Sequence, residues 1–81
     1  MDDYRTDNTK LVATLMAVGN ELIGLDSAQP RLTWIMKETP KLREDIEKFV
    51  AGTLLVEPQA LWTNFQDLKT KLYALKDMRR I

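Results

Sequence analysis

Residues 31–40 read RLTWIMKETP and contain the two clearest structural signals in the chain. Apolar side chains occupy alternate positions in the first part of this segment: Leu32, Trp34 and Met36. A period of two is typical of a β-strand with one buried face, so the pattern predicts a strand over residues 31–38. Within that strand we expect Trp34 to anchor the core beneath the helices rather than to contact a partner.

The second signal is the pair Thr39 and Pro40, which predicts the start of a helix. An N-cap threonine accepts a hydrogen bond from the first turn, and a proline at the first helical position needs no N–H there. The apolar residues that follow have helical spacing: Leu42, Ile46, Phe49 and Val50. Gly52 predicts the end of this helix.

Two more strands are predicted around this segment. Residues 22–26 form a hairpin with residues 31–38, joined by a short loop over residues 27–30. Residues 53–57 predict the third strand. The strand–helix–strand unit over residues 31–57 favours a right-handed crossover with parallel strands. Which hairpin strand pairs with the third strand stays open.

The first helix is predicted over residues 7–18, between an N-cap at Thr6 and a terminating Gly19. Apolar side chains cover more than one of its faces, which is typical of a helix that is deeply buried or shared with a partner. Val12 and Met16 are therefore the candidate self-association residues.

These elements predict an α+β fold in a single small domain over residues 1–81, in the order α-β-β-α-β-α. Residues 2–5 form a loose lead-in. A small three-stranded sheet, made of a β-hairpin plus a third strand, packs with three helices. Apolar residues on both faces of the strands predict that helices, or a second copy, cover both faces of the sheet.

The last helix, predicted over residues 58–77, has a leucine-rich seam and a second stripe beside it. We call this second set the basic-aromatic stripe: Trp62, Gln66, Lys69, Tyr73, Lys76 and Arg80. Aromatic rings among cations stack bases and hold phosphates, so the stripe is a candidate contact for nucleic acid or a protein partner. The alternative is that Trp62 belongs to the core and Tyr73 to its boundary.

Catalytic chemistry has little support in the composition. The chain has no histidine and no cysteine, which excludes thiolate catalysis, histidine triads and thiolate zinc sites. The three glycines are isolated, so no phosphate-binding loop exists. Carboxylates cluster at Glu44, Asp45 and Glu47, which we expect on a solvated face among basic neighbours, and the pair Asp2 and Asp3 near the N-terminus is a poorer site still. The sequence predicts no enzyme, no cofactor and no metal site.

The layout resembles a family of small uncharacterised bacterial and phage proteins of unknown function. The segments that carry the resemblance are YRTD at 4–7, AVG at 17–19, ELIGL at 21–25, RLTWI at 31–35, FVAG at 49–52, VEP at 56–58 and LKTKL at 68–72. The resemblance implies a compact cytoplasmic α+β domain from a phage or mobile element. It carries over no catalytic or binding residue.

Two functions of different classes follow. The favoured one is a non-enzymatic protein-interaction module, with an isologous homodimer favoured because so small a chain has little area for a core. The alternative is a nucleic-acid-binding accessory protein that uses the basic-aromatic stripe, although 12 basic and 12 acidic side chains cancel. We expect a cytoplasmic protein without a membrane segment, since the longest uncharged run, residues 11–20, is half of what a bilayer needs. Whether a small ligand binds at a dimer cleft stays open.

Overall fold

The computed structural model of the chain describes residues 3–26 and 32–79. Its elements, in chain order, are β1 (Asp3–Thr6), α1 (Thr9–Ala17), β2 (Leu22–Asp26), β3 (Thr33–Lys37), α2 (Pro40–Ala51) and α3 (Pro58–Arg79). The predicted α+β class, with three helices and a small three-stranded sheet, is confirmed. The predicted loop at residues 27–30 lies outside the described residues.

The sheet has the order β1-β3-β2, and both pairings are antiparallel. The predicted hairpin of β2 and β3 is confirmed. Because β3 is central, its inward residues Trp34 and Met36 have neighbours on both sides and are fully buried. In β1, Thr6 pairs with Trp34 and Tyr4 pairs with Met36. The alternation read in the sequence therefore marks the buried face of the sheet correctly.

The identity of the third strand was predicted wrongly. Residues 53–57 are not a strand but the connection between α2 and α3, and the third strand is β1, in the segment expected to be a loose lead-in. Both sides of β3 are occupied by β1 and β2. The predicted parallel crossover is therefore absent, and the element order is β-α-β-β-α-α.

Local hydrogen bonds explain where the first two helices begin and end. Thr39 caps α2 as predicted, accepting a hydrogen bond from the Leu42 N–H at 3.0 Å. Gly52 ends α2 in the left-handed region, at φ 76°. For α1 the N-cap is Asn8 rather than Thr6, with Oδ1 accepting from the Leu11 N–H at 3.1 Å.

The helices cover one face of the sheet, and α1 is the central element, packing against α2, α3 and β3. The core consists of Leu11, Val12, Ala13, Leu15, Trp34, Met36, Leu42 and Leu68. Val12 has no exposed surface, so its predicted role in self-association is corrected: it is a core residue. The many apolar faces of α1 are explained by its neighbours within the same chain. Met16 is half-buried and packs at the edge of the core.

The other face of the sheet is open among the described residues, although helices or a second copy were expected to cover it. Asp3, Arg5 and Lys37 are exposed there, and Ile23 is 52% exposed at an irregularity in the β2–β3 register. An ion pair of 2.8 Å joins Arg5 on β1 to Asp26 on β2. Asp3, Arg5 and Lys37 keep this face in contact with solvent, and the core lies on the opposite face of the sheet.

Candidate functional site

An apolar cleft lies where the three helices meet, with a volume of about 420 Å³. The side chains that line it are Lys10 and Thr14 of α1, Phe49 of α2, and Pro58, Leu61, Trp62 and Phe65 of α3. Pockets that bind ligands or anchor side chains occupy about 300–1,000 Å³ and are mostly apolar. The cleft therefore has the size and lining of a binding site rather than of a packing defect.

The first turns of α3 form one wall of the cleft. Glu57 caps this helix, because its Oε1 accepts from the Ala60 N–H at 2.7 Å and its Oε2 from the Gln59 N–H at 3.0 Å. The wall residues follow at spacings that place them on one side of a helix: Pro58, Leu61, Trp62 and Phe65. Leu61 and Phe65 pack partly against the core, whereas Trp62 stays 62% exposed.

The opposite wall comes from α1. Lys10 and Thr14 are one helical turn apart, and the Thr14 hydroxyl donates to the Lys10 carbonyl oxygen at 2.8 Å. That hydroxyl proton is therefore engaged within α1. Among the described residues that line the cleft, Lys10 is the one that carries a charge. The site thus offers an apolar surface with one cation and no acid–base pair.

Three exposed apolar side chains lie at or near the α2–α3 junction in the chain, and one of them, Trp62, lines the cleft. Val50 is 79% exposed, Leu55 89% and Trp62 62%. We call these three residues the junction patch. Phe49 and Pro58, which line the cleft, are chain neighbours of this segment. Large apolar groups gathered beside an open pocket mark interaction surfaces more often than isolated exposed residues do.

The basic-aromatic stripe runs beside the buried seam of α3, with Trp62, Tyr73 and Lys76 exposed and Lys69 half-buried. Tyr73 is 54% exposed, and the Lys76 Nζ lies 6.0 Å from its ring centroid. The Lys69 Nζ lies 5.5 Å from the ring centroid of Phe65. Gln66 is half-buried, and Arg80 lies outside the described residues.

The core alternative for Trp62 is wrong, because its side chain is mostly exposed. Trp62 instead belongs both to the stripe and to the wall of the cleft. The sequence gives Trp62 as a candidate contact residue but does not predict the other residues of the cleft, Lys10, Thr14 and Phe49, which lie on other helices. The spacing of residues within α3 cannot predict which residues of α1 and α2 lie beside it.

A model of the family described as a domain of unknown function (DUF5659) matches residues 1–74. The chain belongs to the DUF5659 family. The predicted resemblance to a family of uncharacterised function is thereby confirmed. All residues that line the cleft of this DUF5659 domain fall within the matched segment, whereas Lys76 and Arg80 of the stripe lie beyond it. No curated protein and no solved structure matches the chain.

One carboxylate of the DUF5659 domain differs from its predicted environment. Asp45 is buried, although a solvated face was expected for it. Its Oδ2 accepts from the Lys41 Nζ at 2.7 Å and from the Asn20 Nδ2 at 2.9 Å. Burial alone raises the pKa of Asp45, but these hydrogen bonds and the Lys41 charge outweigh it and lower the pKa below its ordinary value.

The same donors also bind the end of α1. Lys41 Nζ donates to the Val18 carbonyl oxygen at 2.7 Å, and Asn20 Nδ2 donates to the Leu15 carbonyl oxygen at 3.0 Å. Asp45 therefore ties α1 to α2 through two shared donors. The i, i+4 spacing of Lys41 and Asp45 is the one sequence signal that indicates this contact. The arrangement is structural, since both donors are already engaged.

The described residues of the DUF5659 domain contain neither a metal-binding cluster nor a membrane-spanning helix. Within residues 3–26 and 32–79, no group of three or more acidic side chains is placed to hold a metal ion. In the same part of the chain, no helix combines the length and the apolar character needed to cross a membrane.

Proposed function

We propose that the DUF5659 domain is a non-enzymatic protein-interaction module that receives an apolar segment of a protein partner in the cleft. One observation carries this proposal: a cleft of about 420 Å³ between three helices, with the exposed ring of Trp62 in its wall. Tryptophan beside a well-formed pocket is typical of the few residues that dominate binding energy at an interface.

The energetics favour an occupied cleft. Burying a large apolar side chain contributes about 1.5–3 kcal/mol relative to leaving it in water. Trp62 and Leu55 are both mostly exposed, so their burial in a complex supplies up to two such increments. The half-buried Leu61 and Phe65 add contact area without further ordering, because they already pack against the core. The cleft thus gains apolar contact at little conformational cost.

The remaining features of the proposal come from the sequence. The resemblance supports an accessory protein of a phage or mobile element that acts in the host cytoplasm. The lack of histidine and cysteine supports a role without catalysis or cofactor. A homodimer stays part of the proposal, with its interface moved away from the buried Val12.

The test compares two exposed aromatic residues of α3. Tagged wild-type protein, Trp62→Ala and Tyr73→Ala are used to recover partners from the native host, and binding of each purified partner is then titrated. Trp62→Ala should weaken binding about tenfold or more, as expected for a central interface tryptophan. Tyr73→Ala is the matched control, because Tyr73 is similarly exposed but does not line the cleft.

Either of two results would contradict the proposal. The first is a partner that binds wild type and Trp62→Ala with equal affinity. The second is a partner whose binding depends on Tyr73 and not on Trp62, which places the interface on the stripe.

A second candidate function is nucleic-acid binding by the basic-aromatic stripe. The exposed Tyr73 with Lys76 beside its ring, and Lys69 one turn before it, favour this candidate. The test is an anisotropy titration of labelled DNA and RNA across a salt series. Lys69→Ala combined with Lys76→Ala should reduce the slope of log affinity against log salt for duplex DNA by about 1.8. Lys48→Ala, an exposed cation on α2, is the control. Absence of binding at low salt would contradict this candidate.

A further inference from the structure

We infer that the occupant of the cleft is a second copy of this chain, with Leu55 of each copy inserted into the cleft of the other. The inference rests on the proposed function, since it uses the same cleft. It names the partner and the side chain that enters.

We assign Leu55 as the inserting group because its chain neighbours are partly buried while its own side chain is exposed. It is 89% exposed, and its neighbours Leu54 and Val56 are half-buried. The connection between α2 and α3 is thus held on both sides of the projecting leucine. So exposed a side chain does not fill the cleft of its own chain. The chain therefore carries both an unpacked apolar projection and an unfilled apolar cavity.

Twofold symmetry satisfies both features at once. In an isologous dimer each surface meets its own copy, so one operation places each Leu55 into the opposite cleft. The cavity of about 420 Å³ is large enough to accommodate a leucine side chain. Heterologous insertion would leave one projection unused at one end of the pair and one cleft unused at the other.

The charges at this face are compatible with a second copy. Lys10 lines the cleft, and the exposed Glu57 directly precedes Pro58 in its wall. Two backbone N–H groups hold the Glu57 carboxylate in place. The face therefore presents one cation and one anion to its own copy, and a chain of zero net charge has no overall repulsion from itself.

The test is sedimentation equilibrium of the full chain from low micromolar to near-millimolar concentration. Wild type should have twice the 9.4 kDa mass of one chain. Leu55→Lys should raise the dissociation constant about tenfold or more, because it removes the apolar group and brings an ammonium to a cleft that contains Lys10. Trp62→Ala should weaken the dimer from the cleft side. Circular dichroism of each variant verifies the fold, which exposed positions leave intact.

Ile23→Lys is the matched control. Like Leu55→Lys, it replaces an exposed apolar residue with lysine, but it does so on the open face of the sheet. It should therefore leave the dimer unchanged. A dimer that survives Leu55→Lys, or one that is lost equally in Ile23→Lys, would overturn the inference. A monomer at every concentration would also overturn it. In that last case, Trp62-dependent binding of a different protein would leave the proposed function standing.

Discussion

Asp45 is 6% exposed and still has its pKa below the ordinary value, because Lys41 and Asn20 donate to the same oxygen. The sequence places this residue among alternating charges, a pattern that usually marks a solvated helix face. Its burial results from the end of α1 meeting α2, a contact between residues 25 positions apart. Helical periodicity contains no information about such a contact.

Asp45→Asn tests this contribution at the scale of one residue. At neutral pH the amide leaves Lys41 without its anionic partner, and we expect a loss of about 1–2 kcal/mol in the free energy of unfolding. The pKa of Asp45 in the folded chain lies below the ordinary 3.8 of an aspartate in the unfolded chain, so the stabilisation is complete above pH 3.8 and is lost as pH falls through the folded pKa. Urea unfolding of wild type and variant at a series of pH values measures this.

Glu44→Gln is the control for Asp45→Asn. Glu44 is exposed, and its Oε1 lies 3.7 Å from the Lys48 Nζ. Removing its charge should therefore lower the free energy of unfolding by no more than about 0.5 kcal/mol. A difference between wild type and Asp45→Asn that stays constant down to the lowest pH would contradict the role of the ionised carboxylate.

At the scale of elements, predictions succeeded where the signals are local. The bounds of α2 follow from Thr39, Pro40 and Gly52, because a cap acts within one helical turn. Predictions failed where pairing with another strand decides whether a segment becomes a strand. β1 has four mostly polar residues and becomes a strand only beside β3. Residues 53–57 have strand-like composition, but β3 has no free side for them.

Gly52→Ala tests the end of α2. The backbone at Gly52 has φ 76°, and nothing lies within 4 Å of an added Cβ, so the cost is conformational rather than steric. We expect a loss of about 1–2 kcal/mol in stability, measured by thermal or urea unfolding. Gly24→Ala is the control, because its surroundings are equally open and its φ is not positive. Equal effects of both substitutions would contradict the assignment.

The same difference between local and long-range signals applies to the candidate site. The stripe on α3 follows from helical spacing, and the structure confirms that Tyr73 and Lys76 approach each other. The cleft requires three helices to converge, so Phe49 and Lys10 were not predictable as neighbours of Trp62.

At the scale of the whole molecule, the two tryptophans report on different environments. Trp34 is 1% exposed and donates from Nε1 to Thr9 Oγ1 at 3.1 Å, whereas Trp62 is 62% exposed. At concentrations below the range in which dimers form, acrylamide should quench the emission of Trp62 and leave that of Trp34 nearly unchanged. Trp62→Phe should remove the quenchable component, leaving emission at shorter wavelength. Quenching that persists in this variant would mean that Trp34 is reached by solvent and that the core is not closed.

The sheet has only three strands, so two of them, β1 and β2, are edges. Exposed edges are templates on which further chains add as fibrils. Here one edge has the charged Asp3 and Arg5, and the other has a register shift between Leu22 and Gly24. A bulge bends and twists an edge, so an incoming strand does not find a continuous ladder of donors and acceptors. We therefore expect these features to disfavour the addition of a further strand at either edge of the sheet.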